Sequence, residues 1–286
     1  MKQAIFALLP VFAIACNSGS EEKKESPETL SPQTQNELKL STQQVKDFKS
    51  AAKVFNALPT PIEMAEIIKK SNVKYDPELL NDDKKTGDYV TTVERALNLG
   101  VYFADLSFTS VFDHPQESVN YLKAAQKMAI ELNILNVFNE NITLRMESNM
   151  NNRDSLLSII SEAYLSTDNY LYENQMHSIS AAVLAGSWIE GLSIATRLRS
   201  STGESELIKA KISEQQKSLK NLMALLKDCK ESELVQVRNK LSKMEELYAE
   251  IKITAAADST QTYQMSDDTY KKIVVNIHNI RTSIVE

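Results

Sequence analysis

After residue 40, apolar positions recur along the chain mainly with the period of an α-helix. Ser41 and Gln44 form a capping box, and an apolar face that begins at Val45 follows it. In the stretch "PTPIEMAEIIKK", Thr60 occupies the N-cap and Pro61 the first helical position, which is a strong start signal. The pattern therefore predicts one helix after another, each with its own start.

The same criteria divide the middle of the chain into short helical segments. We predict a short turn of helix at Asp76 and Pro77, and a further helix that begins at Asp113 or His114 with Pro115 in its first turn. The other predicted helices span about 88–112, 135–148, 152–174 and 176–200.

The last third of the chain is more regular. Residues 204–228 and 231–255 are both amphipathic and are joined by a short polar turn, so we predict an antiparallel helical hairpin. The polar stretch "ADSTQTYQMSDD" then precedes a final helix. We therefore expect an all-α fold, an irregular bundle of about eight to ten helices, forming one domain over residues 41–286. A seam near residue 203 remains open as an alternative division.

Composition agrees with long helices and excludes one class of partner. The chain contains only 6 glycines and 7 prolines, too few for a fold rich in tight turns. Its net charge is −6, and no basic stripe is interleaved with aromatic residues. We therefore expect no binding to nucleic acid.

One predicted helix, "ERALNLGVYFADLSF", is apolar almost all the way round yet carries Glu94, Asn98 and Asp105. These three positions fall within an arc of roughly 60° and form a polar stripe. Glu94 and Asp105 are about 16 Å apart along the axis, which is too far for a pair of carboxylates that share one substrate bond.

Two interpretations of this stripe stay open. In the structural one, the carboxylates bind backbone groups, tyrosine hydroxyls or an arginine, because buried charges persist only when they are paired. Arg145, Arg153 and Arg197 are examples of such an arginine. In the functional one, the stripe is part of a polar site that other helices complete.

A second unusual helix, "HSISAAVLAGSWIEGLSIATRLR", is rich in small residues, as expected for a helix at the centre of a bundle. Close packing must offset the cost of Gly186 within a helix. Glu190 shares a face with Gly186 and is the second candidate for a buried carboxylate, while Trp188 is expected in the core. We add Glu190 and His177 to Glu94, Asn98 and Asp105 as a candidate polar site.

Motifs for metals, nucleotides and covalent catalysis are absent from the sequence. The histidines are isolated, the glycines are scattered and the spacing G-x-S-x-G does not occur. We therefore predict no cofactor and no metal ligands, and we name no catalytic residue. Absence of enzyme activity is the favoured interpretation.

The N-terminus, "MKQAIFALLPVFAIAC", has a basic Lys2, an apolar run from Ala4 to Ala15 and a cysteine directly after it. The run is too short to span a bilayer and fits a secretory signal peptide. The segment resembles a bacterial lipoprotein signal, in which cleavage after residue 15 leaves Cys16 as the lipid-modified first residue. The alternative is an ordinary cleaved signal peptide with a chance cysteine.

After Cys16, residues 17–40 are polar and charged and are punctuated by Pro27 and Pro32, so residues 16–40 are typical of a lipidated cysteine with a flexible tether. If Cys16 is acylated, only Cys229 remains, so no intramolecular disulfide is possible. We therefore expect membrane attachment through a lipid at Cys16, in the bacterial cell envelope and at the outer membrane.

Three segments carry a family resemblance: "LPTPIEMAEIIKKSNVKYDPELLN", "ALNLGVYFADLSF" and "LAGSWIEGL". They are similar to recurrent segments of uncharacterised helical lipoproteins of the Bacteroidetes type, over about residues 58–195. The resemblance implies an all-helical fold and an envelope location, and it assigns no catalytic residue.

Two functional hypotheses follow. The first is a membrane-anchored envelope lipoprotein that acts as a non-catalytic binding or scaffold protein, with another envelope protein or a small ligand as its partner. The alternative is a metal-binding protein or hydrolase that uses carboxylates converging from adjacent helices.

Overall fold

The computed structural model describes residues 58–134, 140–198, 206–255 and 261–286, and all of them belong to one compact unit, Asp47–Glu286. The predicted all-α fold is confirmed, because ten α-helices and one small hairpin make up the regular structure of this part. The capping box at Ser41, the predicted helix around Val45 and the lipoprotein signal lie outside the described residues.

The first half of the domain contains five helices: α1 (Pro61–Lys70), α2 (Thr92–Val111), α3 (Pro115–Glu131), α4 (Glu140–Ser148) and α5 (Arg153–Glu173). The second half contains α6 (His177–Arg197), α7 (Glu206–Ser213), α8 (Gln216–Leu226), α9 (Ser232–Ala249), β1 (Lys252–Ala255), β2 (Gln261–Gln264) and α10 (Asp267–Val285). Two short 3₁₀ turns, Pro77–Leu79 and Lys85–Gly87, lie between α1 and α2.

Several predicted helix starts are confirmed. Thr60 accepts a hydrogen bond from the Glu63 N–H, and the Glu63 side chain accepts one from the Thr60 N–H, so the capping box that opens α1 is complete. Pro115 is the first residue of α3 after His114, although the His114 side chain makes no capping hydrogen bond.

The predicted C-terminal pair of consecutive helices is present as α8 and α9, which contact each other across the short turn at 227–231, but the predicted bounds are wrong in two places. The segment 204–228 is divided into α7 and α8 around Gln215, and the segment 231–255 leaves the helix after Ala249. Lys252 and Ile253 instead pair with Gln264 and Tyr263 in an antiparallel β-hairpin. The stretch "KITA" has the β-branched residues that favour a strand, and its pairing with the polar stretch after it was not expected.

Helices α2 and α6 form the centre of the domain. Every residue from Ala96 to Val111 on α2 and from Ala181 to Ala195 on α6 is buried. Trp188 is 3% exposed and donates its indole N–H to Gln215 Oε1 at 3.1 Å, which confirms it as a core residue. Helix α6 is also long and apolar enough to cross a membrane, but 83% of its most apolar 18-residue stretch is buried inside the domain.

Two glycines let these central helices approach closely. A Cβ atom on Gly100 would lie within 3.0 Å of the Val183 carbonyl and the Ser187 N–H, and one on Gly186 would meet the Leu97 carbonyl. The close backbone contact predicted at Gly186 is therefore confirmed. Asp105 on α2 and Glu190 on α6 therefore belong to two helices whose backbones are in direct contact.

Candidate functional site

Glu94 belongs to the start of α2 and is half-buried. Its Oε2 accepts hydrogen bonds from the Thr91 N–H at 2.8 Å and the Val90 N–H at 2.9 Å, while Thr91 Oγ1 accepts one from the Glu94 N–H. Glu94 thus completes a capping box with Thr91, and α2 begins a few residues later than the predicted start at about residue 88. The Glu94 carboxylate therefore serves as a cap at the start of α2.

Asn98 is fully buried one turn further along α2. Its Nδ2 donates to the Glu94 carbonyl at 3.0 Å and to the Ile284 carbonyl at 2.9 Å. The second of these bonds satisfies a carbonyl in the last turn of α10, where helical carbonyls have no intrahelical partner. Asn98 therefore joins the start of α2 to the end of α10.

Asn81, in the loop between the two 3₁₀ turns, holds together several polar groups on this side of α2. It donates its backbone N–H to Asp105 Oδ2 at 3.2 Å and its side-chain Nδ2 to the Tyr89 hydroxyl at 2.9 Å. Its carbonyl accepts a hydrogen bond from the Tyr121 hydroxyl at 2.9 Å. Sequence reasoning missed Asn81, because its partners are far away in sequence and no motif surrounds it.

Asp105 is fully buried, and the Asn81 bond is its one hydrogen bond within the described residues. Burial raises the pKa of its carboxyl well above the ordinary value, and the Glu190 carboxylate raises it further. The positive charges of Arg281 and Arg197 and the Asn81 N–H act in the opposite direction. The raised pKa favours the protonated form of Asp105.

Glu190 is fully buried on α6 and is held by arginine side chains. Arg281 of α10 donates through Nε to Oε2 at 2.9 Å and through a terminal nitrogen to Oε1 at 3.2 Å, in a bidentate arrangement. Arg197, two turns further along α6, approaches Oε1 at 4.0 Å and donates to the Leu79 carbonyl. Glu190 thus connects α6, α10 and the loop before α2.

The two arginines respond differently to this environment. Burial disfavours the charged guanidinium of Arg281, but the Glu190 carboxylate more than offsets this effect and its pKa is raised. Burial lowers the pKa of Arg197, which Glu190 only partly offsets.

The structural interpretation of the stripe named three arginines as partners. Arg197 does lie close to Glu190, but Arg145 pairs with Glu162 and Arg153 pairs with Glu66. Within the described residues, the ion pairs of Arg145 and Arg153 do not include Glu94, Asp105 or Glu190. The side chain that matters most, Arg281, was not predicted. It lies 91 residues after Glu190, and no local pattern links the two positions.

His177 is not part of this cluster. It is the first residue of α6, is exposed and stacks edge-on against Tyr172 at 5.6 Å between ring centroids. A helix rises 1.5 Å per residue, so His177 lies about 20 Å from Glu190 along the axis. The structure therefore brings together Asn98, Asp105 and Glu190, places Glu94 at their edge and leaves His177 apart.

A metal site finds no support in the described part of the chain, where no group of three or more histidine, cysteine, aspartate or glutamate side chains is arranged to hold an ion. The described cysteine, Cys229, is buried and its thiol lies 3.6 Å from the Leu225 carbonyl oxygen. Burial raises the pKa of this thiol, which disfavours the nucleophilic thiolate.

Comparisons with protein-family models, with curated proteins and with solved structures find no match to this chain.

Proposed function

We propose that this protein is a lipid-anchored protein of the bacterial cell envelope whose all-α domain acts as a non-catalytic binding or scaffold subunit. The location rests on the N-terminal sequence, in which an apolar run ends at Cys16 and a polar tether follows. Two or three acyl chains on Cys16 would anchor the protein firmly, since each buried CH₂ stabilises attachment by roughly 0.8 kcal/mol.

The non-catalytic role is supported by one observation: three of the polar candidates on the central helices, Glu94, Asn98 and Glu190, bind groups within the domain. Glu94 caps α2, Asn98 binds two backbone carbonyls, and both oxygens of Glu190 accept hydrogen bonds from Arg281. A general acid or base must instead reach a substrate proton at hydrogen-bond distance. The partner of the domain would be another envelope protein or a small ligand held between helices.

The proposal is tested by following the protein in fractions of the producing cell. A Cys16→Ser variant is expected to lose both acylation and membrane association, whereas the matched Cys229→Ser variant keeps both. Membrane attachment of the Cys16→Ser variant would refute the anchor. A substrate-dependent activity that disappears in Glu190→Gln, while the fold is retained, would refute the non-catalytic role.

The alternative of a metal-binding protein or hydrolase has one observation in its favour. The Glu190 carboxylate on α6 adds to the effect of burial in raising the pKa of Asp105 on α2, so the two carboxyl groups interact electrostatically. Arg281 and Arg197 occupy this neighbourhood, however, and two guanidinium charges oppose a bound cation. Elemental analysis of the purified protein distinguishes the two: a stoichiometric metal ion that is lost in Asp105→Asn would favour the alternative.

A further inference from the structure

Two buried polar atoms at the centre of the domain have no hydrogen-bond partner within the described residues. They are Asp105 Oδ1 on α2 and Ser193 Oγ on α6, and both residues are fully buried. Nearly all buried polar side-chain atoms in native proteins have a partner, either from the protein or from ordered water. Both atoms therefore need an explanation.

The two atoms belong to the same polar cluster. Ser193 follows Glu190 by three residues, so it lies about 4.5 Å further along α6 on nearly the same face. Arg197 links Ser193 to the loop before α2, because it donates to the Ser193 carbonyl at 3.2 Å and to the Leu79 carbonyl. Asn81, two residues after Leu79 in that loop, donates its N–H to Asp105 Oδ2 at 3.2 Å.

The charges around the two atoms restrict what can join them. Arg281 and Arg197 disfavour a cation, and the carboxyl groups of Glu190 and Asp105 disfavour an anion. A neutral molecule that both donates and accepts hydrogen bonds fits this environment. Water meets these conditions and is the commonest occupant of buried polar sites.

We infer that one ordered water molecule is bound between α2 and α6, where it bridges Asp105 Oδ1 and Ser193 Oγ. The water donates a hydrogen bond to an ionised Asp105, or accepts one from a protonated Asp105, and the Ser193 hydroxyl rotates to suit either case. An N–H group in the place of the water could donate to Oδ1 of an ionised Asp105, but it could not accept a hydrogen bond from the protonated form. The water thus lets the enclosed carboxyl keep a partner whichever form it takes.

A crystal structure of the purified protein at a resolution of about 1.6 Å or better tests this inference. We expect a spherical density peak about 2.6–3.1 Å from both Asp105 Oδ1 and Ser193 Oγ, as for ordinary hydrogen bonds. The peak should be lost in Ser193→Ala. It should persist in the matched variant Ser107→Ala, because Ser107 is an equally buried serine whose hydroxyl bonds its own helix at the Phe103 carbonyl.

Three results would overturn the inference. The first is a direct hydrogen bond from either atom to another protein group, with no density between them. The second is a peak with several oxygen contacts of about 2.3–2.5 Å, which indicates a cation such as Ca²⁺ rather than water. The third is a peak that is unchanged in Ser193→Ala.

Discussion

Replacing Arg281 with methionine is expected to destabilise the domain strongly. The substitution removes both hydrogen bonds to Glu190 and leaves a fully buried carboxylate with only the more distant Arg197. Removal of one partner from a buried ion pair costs about 3–5 kcal/mol. For a domain of this size each kcal/mol corresponds to about 2–4 °C, so the melting temperature should fall by roughly 10 °C.

A double-mutant cycle separates the ion pair from simple loss of packing. Glu190→Gln in the Arg281→Met background should restore much of the loss, because the uncompensated charge disappears. Arg145→Met is the matched control: it breaks an arginine–glutamate pair that is exposed, and it should change the melting temperature little. Circular dichroism at 222 nm during heating is a suitable assay. A small effect of Arg281→Met, equal to that of the control, would refute the structural role of the pair.

Three further predictions concern other parts of the domain. Gly100→Ala should lower the free energy of unfolding by about 3 kcal/mol or prevent folding, because its Cβ would overlap the backbone of α6. A Cβ on Gly87 would have no other atom within 4 Å, so Gly87→Ala should leave the free energy of unfolding nearly unchanged in chemical denaturation. Thr91→Val should lower the free energy of unfolding by about 1 kcal/mol through loss of the α2 cap, measured in the same way. Asp168→Asn should remove a pH dependence of the stability. Burial raises the pKa of Asp168 to about 6, and the hydrogen bond from the Ser180 hydroxyl opposes this with a smaller effect. The protonated Asp168 side chain therefore contributes its full stability below about pH 4, and this contribution is lost as the pH rises through 6. Between pH 4 and pH 7, the free energy of unfolding of the variant should rise relative to that of the wild type by on the order of 1–2 kcal/mol, a figure discounted for partial exposure. A difference between variant and wild type that is the same at both pH values would contradict this prediction.

Local sequence patterns were sufficient for most of the helices. The capping box at Thr60 and the turn at Pro77 depend on residues within one helical turn, so the sequence displays them directly. Small residues around Gly186 correctly indicated a close backbone approach. These features are local, or they depend on the character of a single helix.

Features that depend on distant pairing were not predictable. The strand at Lys252 forms only because residues 261–264 return to pair with it. One local pattern was also missed: Thr91 and Glu94 form a capping box three residues apart, but Glu94 was placed in a buried stripe. The apolar flanks of α2 obscured its start, since Tyr89 and Val90 continue the hydrophobic pattern toward the N-terminus.

The buried cluster illustrates the same limit most clearly. Its candidates Asn98, Asp105 and Glu190 could be recognised, because polar residues are conspicuous in apolar helices. Their partners could not: Asn81 is 24 residues before Asp105, and Arg281 is 91 residues after Glu190. Periodicity identifies which side of a helix is buried, but it does not identify the neighbouring element that covers it.

Mass spectrometry of the N-terminal peptide, taken from the protein in its native membranes, tests the proposed anchor most directly. The proposal predicts that residues 1–15 are absent and that Cys16 is the first residue, with a mass increase that corresponds to a diacylglyceryl group and, in many bacteria, a further acyl chain. A mature chain that begins elsewhere, or that carries an unmodified Cys16, would contradict it.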